Sequence, residues 1–166
     1  KSIKKQILHS IDNIFLVAPK DSKLIKNIAI EYNCKFIDES KIINLKKDEI
    51  NYQVNGIDRS GWIFQQLLKL NVDTISKQEY IFVIDADTVL TKPKSLISNG
   101  KIIFDFSDEY HKPYFKAYEK ITGLKHNLPV SLVSHMKLFE KSKLIKLREH
   151  INKNNNENFI KSLLIN

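Results

Sequence analysis

The chain has 166 residues, 42% of them hydrophobic and 28% charged, which suits one soluble globular domain large enough for a real core. A single cysteine, Cys34, excludes an intramolecular disulfide and a cysteine-rich zinc site, and no apolar run approaches the length of a membrane span. The formal net charge of +8 points to an anionic partner: nucleotide phosphate, nucleic acid or an anionic membrane surface.

In chain order, Asn13 to Ala18 is a short apolar run ending at Pro19 and predicts a buried strand. Asp21 or Ser22 then caps a helix that carries Ile25, Ile28, Ala29 and Tyr32 on one face. Cys34 to Asp38 is the next expected strand, with Cys34 itself read as a small buried apolar residue. A polar stretch follows, with Asn55-Gly56 as a turn signal. From Ser60 a helix presents Ile63, Phe64, Leu67, Leu68 and Leu70 as a broad apolar face. Ile81 to Ile84 is a third strand, and KIIFDF from Lys101 a fourth. A helix over Tyr114 to Thr122 stops at Gly123, and Ser131 to Ser134 is a further short strand. Leu144, Leu147, Arg148 and Ile151 have helical spacing, and Asn152 to Asn158 is a polar low-complexity loop before a last short helix.

Strands alternating with helices predict an α/β layered domain with a largely parallel sheet. Ligands of such sheets bind at the carboxyl ends of the strands. The stretch YIFVIDADTVL puts Asp85 and Asp87 at such an end, where an unpaired buried carboxylate would be costly. Three chemistries answer to that arrangement. Two carboxylates converging on Mg²⁺ or Mn²⁺ can hold the ion against a diphosphate, because these hard cations combine one or two carboxylates with substrate oxygens. VIDADTVL also fits the nucleophile strand of haloacid-dehalogenase-like phosphatases, with Asp85 attacking phosphorus and Asp87 as acid/base. That family needs a later acidic cluster, however, and after Asp108 the chain holds no aspartate, only isolated glutamates. The third alternative is a solvated turn in which Asp87 caps local amides.

The surroundings add candidates. Arg59 can meet a phosphate with its planar fork, and Gly61 permits close backbone approach at the start of its helix. Trp62 offers a flat face to a sugar or base, and Gln65 and Gln66 offer amide hydrogen bonds; equally, Trp62 suits a core position and the glutamines a helix surface. In the segment from Ser107 to Tyr118, His111 and Tyr114 suit an acceptor wall or plain aromatic anchors of a surface loop. His135, placed after a short apolar run, suits a metal ligand, a general base or a satisfied core histidine.

Taken together, Gly61-Trp62-x-x-Gln65-Gln66-x-x-Lys69, Asp85-x-Asp87-Thr88, Tyr110-His111-x-Pro113-Tyr114 and Ser134-His135-Met136-x-x-Phe139 resemble a poorly characterised group of bacterial nucleotide-sugar-dependent glycosyltransferase-like proteins of the GT-A type. The resemblance covers Asn55 to Ile151 and is weak before that. It implies a Rossmann-like α/β domain with Mn²⁺ or Mg²⁺ on Asp85 and Asp87. Donor contacts are then expected from Arg59, Gly61, Trp62, Gln65, Gln66 and Asp85. Tyr110 and Tyr114 are expected on the acceptor side, and His111 and His135 are the candidate catalytic side chains. The chain opens at Lys1 on what reads as the end of the family's first helix and stops before its last motif, so the single domain over 1–166 is expected to be trimmed at both ends.

The expected function is therefore metal-dependent transfer of a sugar from a nucleotide donor to a polysaccharide or lipid-linked glycan, in the cytoplasm and peripherally at the inner membrane. The rivals are the phosphatase with Asp85 as nucleophile and a non-catalytic basic α/β binding module. No RNP-like, helix-turn-helix or zinc-finger pattern supports a nucleic-acid partner. The lysines are dispersed, and the alternative to an anionic partner is that the many Ile, Lys and Asn residues reflect an AT-rich genome, which would raise the charge without functional meaning.

Overall fold

The first two apolar runs become neighbouring parallel strands, joined by a helix because a parallel return needs a crossover. In the computed structural model, which describes residues 1–165, helix α1 (Ser2–Gln6) precedes strand β1 (Phe15–Ala18), helix α2 (Lys23–Glu31) and strand β2 (Lys35–Asp38). Phe15 lies opposite Lys35 and Ala18 opposite Asp38. None of the four β1 residues is buried, and Val17 is 37% exposed, which corrects the expectation of a buried strand. Among the described residues β1 pairs only with β2, so its other edge is not enclosed by a neighbour. Cys34 is half-buried rather than buried.

Two 3₁₀ turns, Glu39–Lys41 and Lys47–Glu49, lead into a hairpin of β3 (Gln53–Val54) and β4 (Ile57–Asp58). Asn55 and Gly56 sit at φ 52° and 76°, the two left-handed positions that a tight hairpin turn demands. Helix α3 (Ser60–Lys69) starts at once, held by Ser60: its amide donates to Asp58 Oδ1 at 2.8 Å and its hydroxyl to the Ile50 carbonyl at 2.8 Å. The expected apolar face of α3 is real. Phe64 and the fully buried Leu67 pack with Ile42, Ile43 and Ile50 into one core cluster.

Strand β5 (Tyr80–Ile84) follows, then a hairpin of β6 (Ile97–Ser98) and β7 (Lys101–Ile102), helix α4 (Lys112–Thr122), strand β8 (Met136–Glu140), helix α5 (Lys141–Asn155) and helix α6 (Phe159–Ile165). β5 and β8 are antiparallel, with Ile84 opposite Met136 and Tyr80 opposite Glu140. The molecule is thus mixed α/β, but among the described residues a parallel ladder is found only at β1–β2, and the pairs β3–β4, β5–β8 and β6–β7 run antiparallel. The chain leaves β5 and re-enters β8 at the same end, and that return reverses the direction of the second strand.

Three local expectations are corrected. KIIFDF contributes only Lys101 and Ile102 to a strand, because Asn99-Gly100 folds it back on Ile97-Ser98 in a two-residue turn with φ 50° and 70°. Ser131 to Ser134 is no strand; Ser131 makes an isolated bridge to Ser107, and the strand begins at Met136. His135 therefore stands before a strand, not after one. The polar run from Asn152 is helical through Asn155, since Asn154 and Asn155 donate to the Ile121 carbonyl at 3.1 and 2.8 Å and find helix-compatible partners.

Helices α4, α5 and α6 form a second core of Ile121, Ile151 and Phe159. Gly123 ends α4 at φ 69°, a left-handed conformation that favours glycine, and a Cβ there would lie 2.8 Å from Asn154 Oδ1 and displace that side chain. At the other end of the molecule, His9 Nε2 accepts from the amides of Leu96 and Ile97 at 2.8 and 3.2 Å, tying the first segment to β6. Among the described residues no helix is long and apolar enough to cross a membrane.

Candidate functional site

Asp85 is the first residue beyond β5, and the β5–β8 ladder decides what stands beside it. Its amide donates to the His135 carbonyl at 2.9 Å, one step past Ile84 and Met136, so the two side chains are neighbours. The Thr88 amide returns to the Asp85 carbonyl at 3.0 Å and closes a turn with Asp87 at its third position, exposed to solvent. Buried Leu90 and Leu96 anchor the chain leaving that turn.

The Asp85 carboxylate is only 18% exposed and is compensated from α3. Lys69 Nζ lies 2.5 Å from Oδ1, and Gln65 Nε2 donates to the same oxygen at 3.4 Å. Gln65 and Lys69 are one helical turn apart and so face the same way. His135 Nδ1 is 3.6 Å from Oδ2, beyond a hydrogen bond, and its ring is 82% exposed. Oδ2 is therefore the freer oxygen of the two. Among the described residues no partner contacts the Asp87 carboxylate, and no cluster of three or more His, Cys, Asp or Glu side chains is placed to hold a metal.

A second group extends from the start of α3. Trp62 is stacked between Tyr52 and Tyr114, with ring centroids at 6.4 and 6.0 Å and planes within 21° and 13°. His111 meets Tyr114 edge-on at 4.5 Å. Trp62 remains 38% exposed and Tyr114 39%, so this is an accessible aromatic row rather than core. Arg59 is exposed at the α3 N-cap, but the space above Gly61 is taken by a side chain: a Cβ there would lie 3.1 Å from Lys47 Cε. Gln66 turns back to the Trp62 carbonyl and Gln65 Oε1, both at 3.5 Å.

The structure thus brings together Gln65, Asp85 and His135, and separately Trp62, Tyr114 and His111. Tyr110 joins neither. Its ring packs on Phe115 at 4.4 Å, and Phe115 in turn stacks on His126 at 3.9 Å. Tyr110 also lines an open groove of about 410 Å³ with Phe106, Asp108, Pro129 and Val130, whose lining does not include Asp85 or Asp87. Tyr110 precedes α4 whereas Tyr114 lies within it, and the two rings have different neighbours: Phe115 and His126 for Tyr110, Trp62 and His111 for Tyr114. Sequence reasoning quoted Lys69 without a role and missed Lys47 and Tyr52; the four-residue spacing from Gln65 was the available signal for Lys69.

Lys137, on β8, is another side chain that sequence reading left without a role. Burial pushes its ammonium below the ordinary lysine range against a smaller opposing pull from Asp105, and Nζ lies 5.3 Å from the centre of the Phe104 ring.

No curated protein and no solved structure matches this chain. One family is matched over residues 1–166, the whole sequence, and the chain accordingly belongs to the family of unknown function DUF6492.

Proposed function

We propose that this chain is a metal-dependent glycosyltransferase of the GT-A type, moving a sugar from a nucleotide-sugar donor to a polysaccharide or lipid-linked glycan acceptor. The observation that carries the reading is the pair at the end of β5, where Asp85 is held by α3 and Asp87 projects into solvent from the adjoining turn. Two carboxylates without a third protein ligand suit a cation that completes its shell with water and phosphate oxygens. Asp85, through Oδ2, and Asp87 are the residues that would hold Mn²⁺ or Mg²⁺. An ion held there would supply positive charge to balance that of a nucleotide diphosphate.

The remaining assignments follow from position. Gln65 beside Asp85 supplies an amide to the donor, and Arg59 an exposed guanidinium at the start of the same helix. The Trp62–Tyr114 row offers π faces to a base or sugar, with His111 at its edge. His135, exposed beside Asp85, is the better placed of the two histidines to exchange a proton near the diphosphate. The parallel β1–α2–β2 unit supports a Rossmann-like reading of the fold, and the excess of lysine supports peripheral contact with an anionic membrane face.

Calorimetric titration with UDP, GDP and CMP, with and without Mn²⁺, tests the proposal. Metal-dependent binding of one nucleotide, abolished in Asp85→Asn/Asp87→Asn, is expected. Unchanged binding in that double variant would falsify the reading. A trapped aspartyl-phosphate on Asp85 would replace it with a phosphatase.

A further inference from the structure

We infer that Lys69 makes divalent-cation binding at Asp85 and Asp87 conditional on a diphosphate, so that cation and nucleotide enter the site together. The inference rests on the reading of that pair as a donor-metal site and adds a residue and an order of binding to it.

Lys69 Nζ lies 2.5 Å from Asp85 Oδ1, with the two side chains 21% and 18% exposed. The ammonium is therefore withdrawn from bulk water and stands where it counters the carboxylate most strongly. Gln65 Nε2 is directed at the same oxygen at 3.4 Å, so Oδ1 is committed to α3. A cation approaching Asp85 is left with Oδ2, which faces the exposed His135 ring at 3.6 Å. Of the two negative charges in the IDAD turn, one is already balanced by a positive charge belonging to the protein.

Two consequences follow from charge alone. A bare divalent ion meets a weakened attraction and a nearby like charge, and unit charges a few ångströms apart in a partly desolvated site interact several times more strongly than in water. A diphosphate reverses the balance. Its oxygens can bridge the ion and the ammonium, and the flexible lysine stem lets Nζ leave Oδ1 for a phosphate oxygen. Each ligand then strengthens the other, and by linkage the coupling is reciprocal. Lys69 also projects from the same side of α3 as Gln65, so the ammonium lies on the side from which that amide serves a donor. An ion pair that merely neutralised Asp85 would leave the coupling between metal and nucleotide untouched.

The experiment is Mn²⁺ titration of the chain, alone and with saturating UDP, GDP or CMP, corrected for the affinity of each nucleotide for Mn²⁺. In the wild type, Mn²⁺ alone is expected to bind at least about tenfold more weakly than with the nucleotide that the site accepts. Lys69→Gln retains a hydrogen-bond donor on the side chain but removes the charge. It should tighten Mn²⁺ alone by about tenfold, weaken the nucleotide, and shrink the coupling. Lys69→Met should do the same, and Lys69→Arg should preserve the coupling; thermal melts of all three report whether they are folded. Wild-type coupling retained in folded Lys69→Gln or Lys69→Met overturns the role of Lys69 while the donor-metal reading stands. Tight Mn²⁺ binding to the wild type without nucleotide does the same. Absence of Mn²⁺ binding in the wild type and every variant, with all three nucleotides, overturns the donor-metal reading itself.

Discussion

Arg148 closes both arms of its guanidinium on Asp73, Nη1 to Oδ1 at 2.7 Å and Nη2 to Oδ2 at 2.5 Å, and the aspartate beneath it is 6% exposed. Nη1 also donates to the Leu70 carbonyl at 3.2 Å, and Lys141 Nζ donates to the carbonyls of Asp73 and Ser76 at 3.1 and 2.7 Å. Helix α5 is thereby pinned to the segment between α3 and β5, the two elements that set Gln65, Lys69 and Asp85 against one another. Removing the guanidinium leaves a buried carboxylate unpaired. Arg148→Met is expected to destabilise the fold by about 3–5 kcal/mol, read by urea unfolding, whereas Lys143→Met on the exposed side of α5 should leave the unfolding midpoint nearly unchanged.

The same pair sets an acid limit. Burial alone would raise the Asp73 carboxyl, but the hydrogen bonds and charge of Arg148, with help from Lys141, outweigh it and hold the group below the ordinary aspartate range. A carboxyl lowered in the folded state binds fewer protons there than in the unfolded chain. Its contribution is complete above the unfolded value, about 3.9, and is lost as pH falls through the lower folded value. Urea midpoints between pH 7 and pH 3 should fall steeply below about pH 4. Asp73→Asn should be less stable at pH 7 and show a shallower decline; parallel curves for the two proteins would remove Asp73 from the account.

Trp62 is the one tryptophan in the chain, and its ring lies between Tyr52 and Tyr114 at the accessible start of α3. Tryptophan emission therefore reports this row without interference. Tyr114→Ala uncovers one face of the indole and should shift the emission to longer wavelength with a loss of about 0.5–1.5 kcal/mol of stability. A nucleotide seated on the row should change the intensity in the wild type and less so in Tyr114→Ala. Emission indifferent to UDP and GDP, under conditions where calorimetry detects binding, would place the base elsewhere.

Local chemistry was legible in the residues themselves. The apolar face of α3, the stop of α4 at Gly123 and the turn at Asn55-Gly56 each depend on a period or a backbone angle that a few neighbouring residues impose. Asn99-Gly100 carried the same turn signal, and reading it would have folded the start of the expected strand at Lys101 back on Ile97-Ser98. The position of Asp85 and Asp87 at the end of an apolar strand was also plain, because strand and turn are contiguous.

Direction, register and pairing across distance were decided only by the tertiary structure. An apolar run looks the same whether its neighbour is parallel or antiparallel, so nothing in YIFVI announced that β8 runs against it. That single ladder moved His135 from the end of one strand to the start of another and set it beside Asp85. Nor does a lysine at the end of an amphipathic helix name its partner. Lys69 meets Asp85 because the packing of Phe64 and Leu67 orients α3, and an ion pair costs least where the core has already brought its two charges together.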